Sequence, residues 1–326
     1  MIVFLIMVSA CTPLQNKGSM AYITNQGDNT VSVIAINHSN GAQGKVINTI
    51  KVGKAPVGVA VSAKLQRVFI SNVESNNISV INTQNNTVIE NIALQGAPVG
   101  LAMATNNKVL YVADWFSDKI LAINTHNYDE RRELIVATAP AGLIVSPDSK
   151  TLYVAARDSN EVAVIDTKTF TETKRIAVGK HPFGLSLSAN GDTLYSVNVY
   201  DNTVSAINTT TFIQSTIKVG EHPYCAIASP DNKTLYVTNT QDDTVSVIDL
   251  SSNKTINTID VGMTPEGISY ALEGAQILVA SWGENKLTKC AAFIAGFNVT
   301  FKRVGFGVND ADFVFTPAGD QYLCTF

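Results

Sequence analysis

Two histidines pose the first chemical question. His181 and His222 stand immediately before Pro182 and Pro223, at matching points of a repeated local sequence. Imidazole can ligate a metal or carry a proton near neutral pH, so a two-histidine site is one reading. Two polar side chains bordering a wet channel is the other. Glu266 follows the proline of the next repeat, Asp310 and Asp312 stand at the Pro and Gly places of the last, and the three would add oxygen ligands for a divalent ion. Together with the two histidines they form the metal-binding alternative, although those carboxylates come from two neighbouring repeats. The other conspicuous residues are interactive rather than nucleophilic. They are Trp115, Phe116, Arg157, Tyr200, Gln241 and Trp282, with Phe183 and Tyr224 next to the histidines. Exposed aromatic residues and arginine are typical of binding surfaces, where they supply contact area at low entropic cost. The chain has no G-x-S-x-G, H-E-x-x-H, P-loop, helix-opening G-x-G-x-x-G or C-x-x-C-H. Catalytic residues are therefore not assigned, and no cofactor is expected outside the divalent-metal alternative.

The elements that must hold these residues are repeats. Pro56, Pro98, Pro140, Pro182, Pro223 and Pro265 recur at intervals of 42, 42, 42, 41 and 42 residues. Five are followed two residues later by glycine, and Cys225 takes that place in the other. A second ladder runs through Asn29, Asn76, Asp118, Asn160, Asn202, Asp243 and Asn285. Each rung lies two residues before an apolar residue, such as Val31, Ile78 or Val245. Each unit alternates β-branched and polar residues between turn clusters, which predicts four short strands and almost no helix. Four strands in about 42 residues, repeated, describe a propeller blade.

The expectation is an all-β, seven-bladed propeller of four-stranded antiparallel blades. Residues 1–19 form a leader and tether and 20–326 a single propeller. Its closing blade is split between 20–53 and 307–326, so the terminal strands pair and remove two open sheet edges. The other blades start near 56, 98, 140, 182, 223 and 265. Strand counting puts the Pro-x-Gly starts and the second-to-third-strand loops on one face. The Asn/Asp ladder is read as turn residues bonding their own backbone. Residues that differ between blades are then the functional candidates, since the ring does not require them.

The strings Tyr236-Val237-Thr238-Asn239, Asp28-Asn29-Thr30-Val31-Ser32-Val33-Ile34 and Gly179-Lys180-His181-Pro182-Phe183-Gly184 resemble the YVTN family of β-propeller repeats. The resemblance covers nearly everything after residue 20 and implies an exported or cell-surface propeller. It also implies an architecture similar to the quinoprotein amine dehydrogenase heavy subunit, lactonase propellers and haem d1-binding propellers. Because propellers host many functions, the resemblance implies fold and location rather than one activity. The sequence departs from the pattern in the last blade, where Asp310 and Asp312 replace the Pro and Gly.

Compartment and partners come from the ends and the charge. Ile2 to Val8 is too short to span a bilayer, which takes about 20 apolar residues, and reads as a secretory signal core. Val8-Ser9-Ala10-Cys11 resembles a bacterial lipobox, which would make Cys11 a lipidated first residue and the chain's contact with a membrane. No Lys or Arg precedes the apolar run, as an ordinary signal would require. The net charge is −4, with no basic tract, so a nucleic-acid footprint is not expected. The resulting expectation is a monomeric, non-enzymatic binding protein of the periplasm or cell surface. It would take a protein or envelope ligand on the loop face. The alternative is a propeller enzyme or cofactor module, lactonase- or lyase-like or quinone- or haem-associated, with its site at the ring axis.

Overall fold

The computed structural model describes residues 19–36, 45–271, 276–284, 286–291 and 311–316. The blade beginning at Pro140 shows the plan, with strands Pro140–Val145, Thr151–Ala156, Glu161–Asp166 and Thr171–Ala177 in antiparallel order. The first three strands are almost wholly buried, because each blade is covered by a neighbour on both faces. They therefore read as apolar runs. The outer strand faces solvent and sends one anchor inward, Ile176, as Ile92, Ile217 and Ile259 do in their blades. Hydrophobic clusters lie between blades. One joins Ala102, Tyr111 and Ile120 to Leu143, Leu152 and Ile165 across the Pro98 and Pro140 blades.

The inner strands contact one another in turn around an axis. The circuit runs from Ala311–Thr316 through the strands starting at Pro56, Pro98, Pro140, Pro182, Pro223 and Pro265, and back again. Strand Ser19–Asn25 is paired on both sides: Tyr22 lies opposite Val33 of Thr30–Ile36 and opposite Val314 of Ala311–Thr316. The expectation of seven four-stranded blades is corrected: among the described residues six sheets have four strands. The sheet starting at Pro265 has three strands among the described residues, Pro265–Ala271, Gln276–Ser281 and Lys286–Ala291. In the Pro56, Pro140 and Pro182 blades the third strand ends on a side chain that accepts a backbone N–H of the next turn: Asn82 from Gln84, Asp166 from Thr169, Asn208 from Thr211. Alanine stands at that position in the Pro265 sheet, Ala291, and also in the four-stranded closing blade, Ala35, so this side chain does not decide whether a fourth strand forms.

The Asn/Asp ladder also works differently from the expected self-bonded turn. Asn29, Asp118, Asn160, Asn202 and Asp243 are left-handed, with φ of 53–56°. Their Oδ1 atoms accept the N–H of the residue before the next proline: Ala55, Ala139, His181, His222 and Thr264, at 2.8–2.9 Å. Their carbonyls accept from the end of the outer strand, as with Val178 to Asn160 and Val219 to Asn202. Each rung thus clamps the chain where it leaves one blade for the next. The pre-proline residues themselves have φ of 51–55°. This conformation costs roughly 1–2 kcal/mol for a residue with a Cβ, so it needs such a clamp.

Candidate functional site

The face that carries the varying residues is built from two repeated contacts. In the Pro140, Pro182, Pro223 and Pro265 blades the first residue of the second-to-third-strand loop donates its N–H to the pre-proline carbonyl of the same blade. Arg157 bonds Ala139, Val199 bonds His181, Thr240 bonds His222 and Trp282 bonds Thr264, at 3.0–3.1 Å. The next residue bonds one step earlier, as Asp158 does to Thr138, Tyr200 to Lys180 and Gln241 to Glu221, at 3.3 Å. Loops and Pro-x-Gly starts therefore share one face. Within Pro-x-Gly the pairing register shifts, in the Pro182 blade between Pro182 and Leu185 and in the Pro223 blade between Pro223 and Ala226. Such an irregularity re-aims a side chain, and Phe183 and Tyr224 occupy it.

Side-chain volume then distributes the cluster. In the Pro140 blade the pre-proline and post-proline positions hold Ala139 and Ala141; in the next two blades they hold His181 with Phe183 and His222 with Tyr224. Trp115, from the Pro98 blade, extends past the alanine blade and reaches Phe183, ring centroids 5.9 Å apart. Phe183 stacks on Tyr224 at 4.3 Å, which completes a three-ring strip drawn from three blades. A second strip runs beside it: His181 packs on Tyr200 at 4.2 Å, and Tyr200 on His222 at 5.6 Å. The Arg157 guanidinium lies 5.3 Å from the Trp115 ring centroid, within cation–π range.

Charge is concentrated at Arg157. Its Nη1 donates to Asp158 Oδ1 at 2.6 Å, and the same oxygen faces His181 Nδ1 at 3.5 Å, too far for a good hydrogen bond. That Nδ1 is buried and makes no hydrogen bond. Burial first, and then the Arg157 charge, hold His222 below the usual imidazole range. It is therefore neutral at physiological pH.

Of the residues singled out in the sequence, the structure brings Trp115, Arg157, Tyr200, His181, Phe183, His222 and Tyr224 into one cluster. Phe116 is 77% exposed and makes no ring contact with the cluster among the described residues. Gln241 is an exposed loop tip, and Trp282 is half-exposed beside the Met263–Thr264 segment. Among the described residues no ring contact joins Trp282 to the cluster, so the two tryptophans do not form one patch. Glu266 is half-buried in the next sheet, its carbonyl accepting from Thr238 Oγ1 at 3.1 Å. Asp310, the side chain of Asp312, and Cys11 lie outside the described residues. Among the described residues no three His, Cys, Asp or Glu side chains come together as a metal site. Sequence reading missed Asp158 and the two alanines. The usable signal was the swap of small for large residues at positions 139 and 141 beside the large loop residue Trp115.

The model of the YNCE-like β-propeller family matches residues 58–254. The chain belongs to that family. No curated protein matches this YNCE-like propeller in sequence. Among solved structures it is similar to Kuenenia stuttgartiensis hydrazine synthase, at 18% identity and a TM-score of 0.75, covering 85% of this chain and 93% of that one. A putative 6-phosphogluconolactonase from Bacteroides fragilis aligns at 17% identity and a TM-score of 0.76, covering 94% and 100%. A protein from Lactobacillus plantarum aligns at 14% and 0.78, covering 92% and 100%. At such identities these likenesses speak for the propeller fold alone.

Proposed function

We propose that this YNCE-like propeller is an exported, monomeric, non-enzymatic binding module. It holds a protein or envelope ligand over the sector formed by Trp115, Arg157, His181, Phe183, Tyr200, His222 and Tyr224. The carrying observation is the concentration of large aromatic, imidazole and guanidinium groups at positions the ring leaves free. Equivalent positions elsewhere hold Ala55, Val57, Val73 and Ala97. Tryptophan, tyrosine and arginine are the side chains most often found where binding energy concentrates. Export is supported by the short apolar leader and by Cys225, which is buried and disulfide-bonded. Disulfides persist chiefly in oxidising compartments. The experiment is partner capture from envelope extracts with the wild type, Trp115→Ala and Arg157→Ala. The reading expects both variants to remain folded and to lose the captured species, and equal capture by all three would overturn it. Thermal unfolding with and without chelator separates the enzyme alternative. The binding reading expects no shift, whereas a metal-dependent shift would favour a metal-dependent lactonase- or lyase-like activity.

A further inference from the structure

We infer that Asn85, Asn208 and Asn253 are N-glycosylation acceptors, and that their glycans stand on the propeller face opposite the loops of the candidate site. The inference rests on the export part of the reading above, because Asn-x-Ser/Thr marks an acceptor only in a secreted chain. Among the described residues this motif starts at Asn77, Asn85, Asn208, Asn232 and Asn253. The fold closes two of them. Asn77 is half-buried, its Oδ1 accepts from Asn72 Nδ2 at 2.8 Å, and its partner Ser79 is fully buried. Asn232 Oδ1 accepts the Ala189 N–H at 2.6 Å, and its partner Thr234 is buried in a strand. The other three are open: Asn85, Asn208 and Asn253 are exposed, and so are Thr87, Thr210 and Thr255 two residues on. Asn85 Oδ1 accepts from the Thr87 hydroxyl at 2.9 Å and Asn208 Oδ1 from the Thr210 N–H at 3.0 Å. The oxygen side of each amide is thus held, while Nδ2 has no acceptor among the described residues. Transfer joins that Nδ2 to the anomeric carbon of a sugar carried on a polyprenyl diphosphate. The N–C bond forms as the C–O bond to phosphate breaks, Nδ2 gives its proton to a base of the transferase, and the diphosphate leaves with the electron pair.

Position and surroundings support the same assignment. All three asparagines belong to the connection between the third and fourth strands, in the Pro56, Pro182 and Pro223 blades. That connection lies at the far end of the third strand from the second-to-third-strand loop, so a glycan there leaves the loop face clear. Each is also followed by an exposed isoleucine on or beside the outer strand. Ile89, Ile213 and Ile256 are 46%, 74% and 58% exposed, and come four, five and three residues after Asn85, Asn208 and Asn253. In the Pro98 and Pro140 blades the same connection carries no such motif, and exposed charge follows it instead: Asp129 and Glu130, Lys174 and Arg175. With 15% charged residues against about 25% in ordinary soluble domains, the chain has few other groups to solvate those isoleucines. A bulky, hydrated glycan supplies to three outer strands what charge supplies to the other two.

The test is peptide mapping by mass spectrometry of the full chain recovered from the envelope of the cells that make it. Peptides holding Asn85, Asn208 and Asn253 should carry an added glycan mass, and those holding Asn77 and Asn232 should not. Asn85→Gln and Thr87→Val should each remove the same single glycan, whereas Thr87→Ser, which keeps the motif, should retain it. A purely structural role for Thr87 would not produce that split. Each bare position overturns its own assignment. Three bare positions in envelope-derived protein, or glycans on Asn77 and Asn232 in their place, would overturn the inference while leaving export standing. A chain found only in the cytoplasm would overturn the export reading instead. The acceptors are then read from the full chain secreted by yeast behind a secretion signal, where glycans on the three open positions support the assignment and their absence overturns it.

Discussion

Gly184→Ala is the most informative single change, because it tests the packing that holds the aromatic strip together. Gly184 is the glycine of the Pro182 start, and a Cβ there would lie 2.5 Å from the Tyr224 carbonyl oxygen and 2.9 Å from the Cys225 Cα. Both obstacles are backbone of the neighbouring inner strand, so neither can rotate aside. Reaching ordinary van der Waals separation requires the two strands to part by roughly 1 Å, and overpacking of this kind costs about 1–3 kcal/mol. Replacing glycine by alanine returns about 0.5–1 kcal/mol by restricting the unfolded chain. The net expectation is a loss of about 1 kcal/mol, read as a fall of roughly 2 °C in Tm for a chain of this size. The displaced carbonyl belongs to Tyr224, whose ring stacks on Phe183, so ligand capture should weaken in the same variant. Thermal unfolding by circular dichroism measures the first effect and the capture assay the second. A Tm within 1 °C of wild type would refute the close approach of the inner strands on which the site's geometry rests.

Further expectations concern the clamps and the titrating groups. Asn202→Ala should cost about 2–4 kcal/mol, combining left-handed strain with loss of the bond to the His222 N–H. Asn202→Gly relieves the strain and should cost about half as much, and chemical denaturation of the two variants measures the difference. His222 should titrate below free imidazole by NMR, and Arg157→Met should raise its pKa by removing the nearby positive charge. Because the folded state disfavours the His222 proton, this group's contribution to stability is present above the unfolded pKa and declines as pH falls below about 6.5. Burial pushes the Tyr22 hydroxyl to about 12, so the folded state keeps a proton the unfolded chain loses. Stability should therefore fall between about pH 10 and pH 12, and Tyr22→Phe should flatten that decline in denaturation curves taken at several pH values.

Much of the scaffold was legible because a blade must be punctuated. Proline fixes the start of six inner strands and the Asn/Asp ladder marks the turn before each third strand. Both are local requirements that leave a fixed period in the sequence. The pairing of Ser19–Asn25 with Ala311–Thr316 was also readable, since the amino-terminal repeat lacks a first strand. The count of complete blades was not. The sequence at Lys286–Ala291 keeps the period of a third strand, so the repeat ladder counts that sheet together with the complete ones. The ladder's second role was hidden for a different reason. The bond from Asn160 Oδ1 to the His181 N–H joins residues 21 apart, across a blade boundary that a turn rule does not see. In the site, residue type was visible but partnership was not. Trp115 and Trp282 occupy the same loop position, yet only Trp115 looks across alanines toward Phe183, so only it joins the cluster.

The central claim is that this sector of the loop face binds an external ligand, and ligand capture by paired variants tests it most directly. Immobilised wild type, Arg157→Ala, and a control altered on the outer strand, Thr171→Ala, would be exposed to the same envelope extract and compared by quantitative mass spectrometry. The account predicts a species retained by the wild type and the Thr171 control and depleted at least tenfold by Arg157→Ala. Retention at the same level by all three would contradict it.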